Sequence, residues 1–226
     1  MNMGRMNREA ARQRIALICA LTATGLFCAL AVATLSGHLP AFDAGARAAA
    51  HTLAGSNMTL AMSGITRLGS VAVLTALSVL TGGGLYAMGR RRDAVSLTVV
   101  MAGAILLNNT LKYTLHRTRP DPFFGAMPET YSFPSGHTLF STCFYVTLAW
   151  LLAARLEHRG ARVALWTAAL ALPAAIGFSR VYLGVHYPTD VLAGYLVAVA
   201  WLAALRASPL GRNPDAAGGT GIPPPG

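Results

Sequence analysis

The sequence predicts an all-α, polytopic membrane protein with about six transmembrane helices and both termini in the cytoplasm. Three observations carry this reading. Of 226 residues, 54% are hydrophobic and only 12% are charged, about half the charge content of a soluble domain. The apolar residues gather in six runs, most of them near the roughly 20 residues a helix needs to cross a hydrocarbon core of about 30 Å. The 18 basic residues, only one of them Lys, fall in the gaps between those runs and do so unequally. The formal net charge of +10 is therefore distributed like the loops of a membrane protein. A nucleic-acid-binding surface would gather its basic residues in a stripe on a soluble fold.

Taken in order, residues 1–14 read as a cytoplasmic N-terminal segment carrying Arg5, Arg8, Arg12 and Arg14. Span one follows at Ile15–Leu35. Its Arg-rich approach and Ala31-Val32-Ala33 also fit a signal peptide with a cleavage site, although the run exceeds a usual signal core. Cleavage there would leave the orientation of the other spans unchanged. Residues 38–67 read as an external segment able to form one or two short interfacial helices. Span two is Leu68–Met88. Its Gly82-Gly83-Gly84 lacks the preceding strand and following Lys-Ser/Thr of a phosphate loop, and reads as close helix packing or a kink. Spans three to six are Ala94–Leu111, Thr138–Leu156, Val163–Phe178 and Val191–Leu205, closing a membrane domain over 15–206. Residues 207–226, rich in Gly and Pro, read as a disordered cytoplasmic tail.

This arrangement puts 12 basic residues on one side and leaves Arg47, Arg67, Lys112, Arg117, Arg119 and Arg180 on the other. The excess of positive charge marks the cytoplasmic side. Cys19, Cys28 and Cys143 all lie in apolar runs and read as small buried side chains, with no disulfide or metal spacing.

Polar residues at membrane boundaries are costly and mark function by default. Three clusters stand out. Lys112 to Pro120 leaves span three and contains His116, Arg117 and Arg119. Phe133-Pro134-Ser135-Gly136-His137 opens span four. Ser179 to Asp190, with Arg180, Tyr182, Gly184, His186 and Pro188, joins spans five and six. The spacing from His137 to Arg180 holds one helix in and one helix out, so all three clusters gather at the outer membrane edge.

Their chemistry is complementary. Lys112, Arg119 and Arg180 supply fixed positive charge, and Arg forks suit phosphate oxygens. Ser135 and Gly136 at a helix start offer backbone N–H groups and a positive dipole end. The Ser135 hydroxyl can cap the helix or donate to an anion. His186 and Asp190 stand four residues apart, about one turn. The carboxylate can hold one imidazole nitrogen and leave the other free to attack. His137 can serve as general acid for a leaving oxygen. A metal site is the weaker reading, since three cations would repel a metal ion. Each group alone also has a plain structural reading, as an anchor, a helix start or a cap.

These residues resemble the tripartite signature of the type 2 phosphatidic acid phosphatase superfamily, the lipid phosphate phosphatases. The pattern is K-x6-R-P, then P-S-G-H, then S-R-x5-H-x3-D. Lys112, Arg119 and Pro120 match the first part, Pro134–His137 the second, and Ser179, Arg180, His186 and Asp190 the third. The resemblance covers about 94–205. It implies a membrane phosphatase that needs no metal or other cofactor. By similarity, His186 forms a phosphohistidine, Asp190 orients it and His137 protonates the leaving group. Lys112, Arg119, Ser135, Gly136 and Arg180 hold the phosphoryl oxygens.

A site at the outer edge of an inner (cytoplasmic) membrane suits a lipid phosphate or diphosphate. The resemblance favours undecaprenyl diphosphate and a place in cell-wall lipid recycling, with phosphatidylglycerol phosphate or phosphatidate next. Phe123, Phe124, Met127 and Tyr131 read as interfacial side chains that steer a lipid chain or serve as simple interfacial anchors. Asn108 and Asn109 read as helix–helix hydrogen-bonding groups or as positioners of Lys112. Nucleic acid is not an expected partner. A transporter would spread polar residues along several spans, and a non-catalytic binding protein would have lost part of the set.

Overall fold

The computed structural model describes residues 3–208, so the tail expected to be disordered lies, from residue 209 onward, outside the described residues. Eight α-helices follow one another, with no strand among the described residues. They are α1 (Met3–Leu35), α2 (Pro40–His51), α3 (Ser56–Arg67), α4 (Val71–Ala87), α5 (Arg91–Leu115), α6 (Gly136–Ala153), α7 (Arg159–Tyr182) and α8 (Pro188–Ala207).

Five of these helices (α1, α5, α6, α7 and α8) are long and apolar enough to cross a membrane. A sixth span exists only as the pair α3 and α4, bent by 45° at the break between them. The expected second span is thus shorter than predicted and continues through a bend into the external segment. Large apolar side chains such as Ile15, Leu21, Leu80 and Leu106 are exposed on the outside of the bundle. In water such a surface would drive aggregation, whereas lipid tails solvate it.

The helices run past the limits that hydropathy sets. The predicted span Val163–Phe178 looks short, but α7 has 24 residues, about 36 Å at 1.5 Å per residue. Its last turn is Ser179-Arg180-Val181-Tyr182. Likewise α5 continues to Leu115 and carries Lys112 on its final turns. Apolar periodicity stops at the first polar motif residue, while backbone hydrogen bonding does not.

Helix α6 is the centre of the bundle, packed against α4, α5, α7 and α8. Leu139, Phe140, Cys143 and Phe144 on α6 meet Leu74 of α4, Leu97, Met101 and Ala104 of α5, and Ala198 of α8. Helix α1 lies along α8, with Ala31 buried beside Phe133 and Ala193. The first span thereby supports the loop that opens α6.

The expected external segment folds as two helices, α2 and α3, and both pack on α7. Three finer expectations need correction. Helix α4 runs unbroken through Gly82-Gly83-Gly84, and a Cβ on any of them would meet nothing within 4 Å, so they make no close packing. Cys19 and Cys28 are exposed on α1, and only Cys143 is buried. Phe123 and Phe124 turn inward. Both backbone N–H groups bond the Leu183 carbonyl, and the Phe124 ring stacks on Tyr182 with centroids 5.6 Å apart.

Without a hydrophobic force between helices in lipid, close approach rests on small residues. Gly194 is the clearest case, since a Cβ there would come within 2.8 Å of the Ser135 carbonyl oxygen. Gly194→Ala is therefore expected to push α8 from the α6 start and to cost about 1–3 kcal/mol, as overpacking does. Thermal unfolding in detergent should show a lower Tm, and an unchanged Tm would contradict this packing.

Candidate active site

Helix α8 begins with Pro188, whose fixed φ suits a first helical position. Asp190 then falls in the first turn, where a carboxylate can accept the orphan N–H before the helix. Its Oδ2 accepts from the Tyr187 N–H at 2.9 Å and lies 3.2 Å from His186 Nδ1. Its Oδ1 accepts from Arg117 at 2.6 Å. Its backbone carbonyl accepts from the Ser135 N–H at 2.9 Å. One fully buried residue thereby ties all three polar clusters together.

His186 is also buried. Its Nε2 lies 3.0 Å from an Arg119 guanidinium nitrogen. A guanidinium only donates, so Nε2 carries the lone pair and Nδ1 carries the proton toward Asp190. Burial holds the His186 pKa well below its usual value, and the charges of Arg119, Arg180 and Lys112 lower it further. The ring is neutral at neutral pH, with its lone pair facing the cations.

Those cations are held by neutral acceptors. Lys112 donates to the Tyr131 carbonyl. Arg119 donates to the Val185 carbonyl at 2.8 Å and to the Thr130 hydroxyl at 3.0 Å. Burial lowers the Arg119 pKa, against an opposing pull from Asp190. Arg180, on the last turn of α7, donates to the Thr66 hydroxyl at 2.9 Å, and its buried Nε has no partner. None of the three forms an ion pair with a carboxylate within the described residues. Their positive charge is left uncompensated, which is what an anion site needs.

Ser135 is the N-cap residue of α6, but its side chain makes no cap bond. Its hydroxyl instead accepts from Thr138 at 3.1 Å. Of its two expected uses, the cap bond is not made. Gly136 opens α6, and a Cβ there would lie 3.2 Å from Asn108 Oδ1. Asn108 is buried, its Oδ1 has no partner, and its amide reaches only Asn109 at 3.5 Å, so the expected helix–helix bond is not made. His137, on the first turn of α6, is half-buried and within coulombic reach of Arg180, His186, Arg119 and Lys112.

The loop from α5 to α6 is pinned at its neck. Ser132 donates from its backbone to the Arg117 carbonyl at 2.9 Å, and from its hydroxyl to the Thr118 carbonyl at 3.0 Å. Every site residue expected from sequence thus lies at one end of the bundle. At the other end, an apolar groove of about 400 Å³ is lined by Cys19, Val100, Trp150 and Arg206 and holds none of them.

The structure adds residues that sequence reasoning missed. Arg117 was part of the first cluster without a role. It bridges Asp190 to Asp43 of α2, which it meets at 2.7 Å, and Thr189 bonds both Arg117 and Asp43 at 2.7 Å. An isolated acid in a mostly apolar external segment was the only available signal.

The fold defines a helical membrane protein with a cluster of buried polar and charged residues at one end, and the family is equally plain. The pattern of the PAP2 superfamily matches residues 93–213, and the chain belongs to that superfamily. It is 36% identical over 135 residues to phosphatidylglycerophosphatase B of Bacillus subtilis, an alignment spanning 59% of this chain and 66% of that one. It is 32% identical over 121 residues to an undecaprenyl-diphosphatase of Sulfolobus acidocaldarius, spanning 51% and 54%. These alignments span between about half and two thirds of the relatives' own lengths. Among solved structures, a transmembrane PAP2-type phosphatidylglycerolphosphate phosphatase from Bacillus subtilis superposes with a TM-score of 0.76 and 30% identity. That match covers 82% of this chain and 94% of the other.

The buried setting of His186 has a spectroscopic consequence. In protein carrying isotope-labelled histidine, the signal lost on His186→Ala should remain that of a neutral, Nδ1-protonated ring at pH 6, below the ordinary histidine pKa of about 6.5. An imidazolium signal at that pH would contradict the electrostatics described here.

Proposed function

We propose that this protein is a lipid phosphate phosphatase working through a phosphohistidine intermediate. The observation that carries the reading is the placement of His186, held at Nδ1 by Asp190 with Nε2 facing Arg119 among three uncompensated cations. In the first step the Nε2 lone pair attacks phosphorus and the bond from phosphorus to the lipid oxygen breaks. His137 gives its proton to that oxygen. Lys112, Arg119, Arg180, the Ser135 hydroxyl and the Gly136 N–H hold the phosphoryl oxygens as charge redistributes. In the second step His137 takes a proton from water, whose oxygen attacks phosphorus. The P–N bond breaks, inorganic phosphate leaves and His186 is restored. The residues themselves supply nucleophile, acid and charge stabilisation, and the reading expects no metal.

The sequence alone favoured undecaprenyl diphosphate. The similarity to the Bacillus phosphatases supports phosphatidylglycerol phosphate as the first substrate to test, and the Sulfolobus relative keeps undecaprenyl diphosphate as the second. The distribution of basic residues supports a pocket on the extracytoplasmic face of an inner membrane.

The test is inorganic phosphate release by purified protein in detergent with excess chelator, on phosphatidylglycerol phosphate, undecaprenyl diphosphate and phosphatidate. Release should survive chelator. His186→Ala should lower it by about 10⁴ or more, as loss of a nucleophile does, and His137→Ala by about 10²–10⁴. Release abolished by chelator, or equal in His186→Ala, would overturn the mechanism.

A further inference from the structure

We propose that Asp43 is a positioning residue for this reaction. Acting through Arg117, it holds the Asp190 carboxylate in the orientation that keeps His186 Nε2 turned toward Arg119 and the phosphate-binding cations. The inference rests on the hydrolytic reading above and adds a participant to it.

The geometry is a chain of charge-assisted contacts. Asp43 sits on α2 and is buried, as is Asp190. One guanidinium serves both carboxylates, with one terminal nitrogen 2.7 Å from Asp43 Oδ2 and the other 2.6 Å from Asp190 Oδ1. Thr189 locks the arrangement from α8. Its N–H donates to Asp43 Oδ1 at 3.1 Å and its hydroxyl to Asp43 Oδ2 at 2.7 Å. The Tyr187 ring covers the Arg117 guanidinium at 4.1 Å.

Two features separate this from simple docking of α2. A buried ion pair is weak evidence for stability, because desolvation offsets most of the attraction. Yet α2 sends its one acid inward to the guanidinium that holds Asp190, when an apolar side chain would dock the helix at lower cost. The second feature is where Asp43 comes from. It lies outside the stretch matched by the family pattern, which begins at residue 93. The external segment thereby supplies the far end of a network that the family's own motifs begin. Arg47, one turn along α2, reinforces the attachment by donating to the Asp121 and Gly184 carbonyls at 2.7 and 3.2 Å.

Without Asp43, Arg117 loses the acceptor that fixes its second nitrogen and can rotate, taking Asp190 Oδ1 with it. Binding of the phosphoryl group depends on other residues and should survive. Attack by His186 depends on alignment, where displacement of about 1 Å can cost about 10²-fold. A lysine at 117 cannot replace the fork, since its ammonium is a single point.

The experiment uses the full chain in detergent and the lipid that the wild type hydrolyses best. Asp43→Asn is expected to lower kcat about 10- to 100-fold and to leave KM within about two-fold, with Arg117→Lys at least as slow. The double variant Asp43→Asn/Asp190→Asn should be as slow as Asp190→Asn alone, because Asp43 acts only through Asp190. A merely structural role would lower both backgrounds equally. Should Asp43→Asn fail to elute as a single species, Thr189→Val is read in the same cycle with the same expectation. Wild-type kcat in these variants, a loss carried by KM, or an equal further loss in the Asp190→Asn background would overturn the proposal. Wild-type protein releasing no phosphate from any lipid would overturn the hydrolytic reading and this role with it.

Discussion

A carboxylate without water must find a hydrogen-bond partner for each of its oxygens, and Asp190 finds them in three different parts of the chain. His186 and the Tyr187 N–H take one oxygen, Arg117 takes the other, and Ser135 takes the backbone carbonyl. Leaving a buried charge unpaired would cost several kcal/mol. That cost is what draws the two ends of the α5–α6 loop and the turn before α8 to one point. The gathering of the polar clusters follows from satisfying this one group.

Around it the electrostatics are arranged in two layers. Carboxylates balance Arg117. Lys112, Arg119 and Arg180 are satisfied by carbonyls and hydroxyls, which complete their hydrogen bonds without cancelling their charge. In a low-dielectric setting such unneutralised, preorganised charge is worth far more to an incoming anion than in water. Burial, and after it the same field, holds the His186 pKa well below its usual value. Burial, cation placement and the neutral state of His186 are one arrangement seen from three sides.

The bundle serves this arrangement by letting helix starts approach. Helix α6, the most enclosed, presents its N-terminus against α8 at Gly194 and against Asn108 of α5 at Gly136. Helices α2 and α3 close the same end. Thr66 of α3 holds Arg180, and Asp43 of α2 holds Arg117. Helix α1, from the other side, supports Phe133 just before the α6 start.

Much of this was legible in the sequence, for a physical reason. Lipid demands long apolar helices, so five spans and most of a sixth were visible as runs. Polar residues are so costly at the membrane edge that Lys112, Arg119, Ser135, Gly136, His137, Arg180, His186 and Asp190 stood out, and the span length between them fixed their common end. Local spacing also determined the His186–Asp190 pair, four residues apart across a helix start. What spacing could not carry were the contacts between residues far apart in the chain. Asp43 and Arg117 are 74 residues apart, and no periodicity links them. The helical reach of α5 and α7 into their motifs was hidden because hydropathy registers side chains and not backbone bonding. The inward turn of Phe123 and Phe124, the exposure of Cys19 and Cys28 and the bend between α3 and α4 were decided by packing. The sequence determined which groups had to be at the membrane edge. Only the tertiary structure decided which of them share a hydrogen bond, because that depends on how helices distant in sequence come to lie side by side.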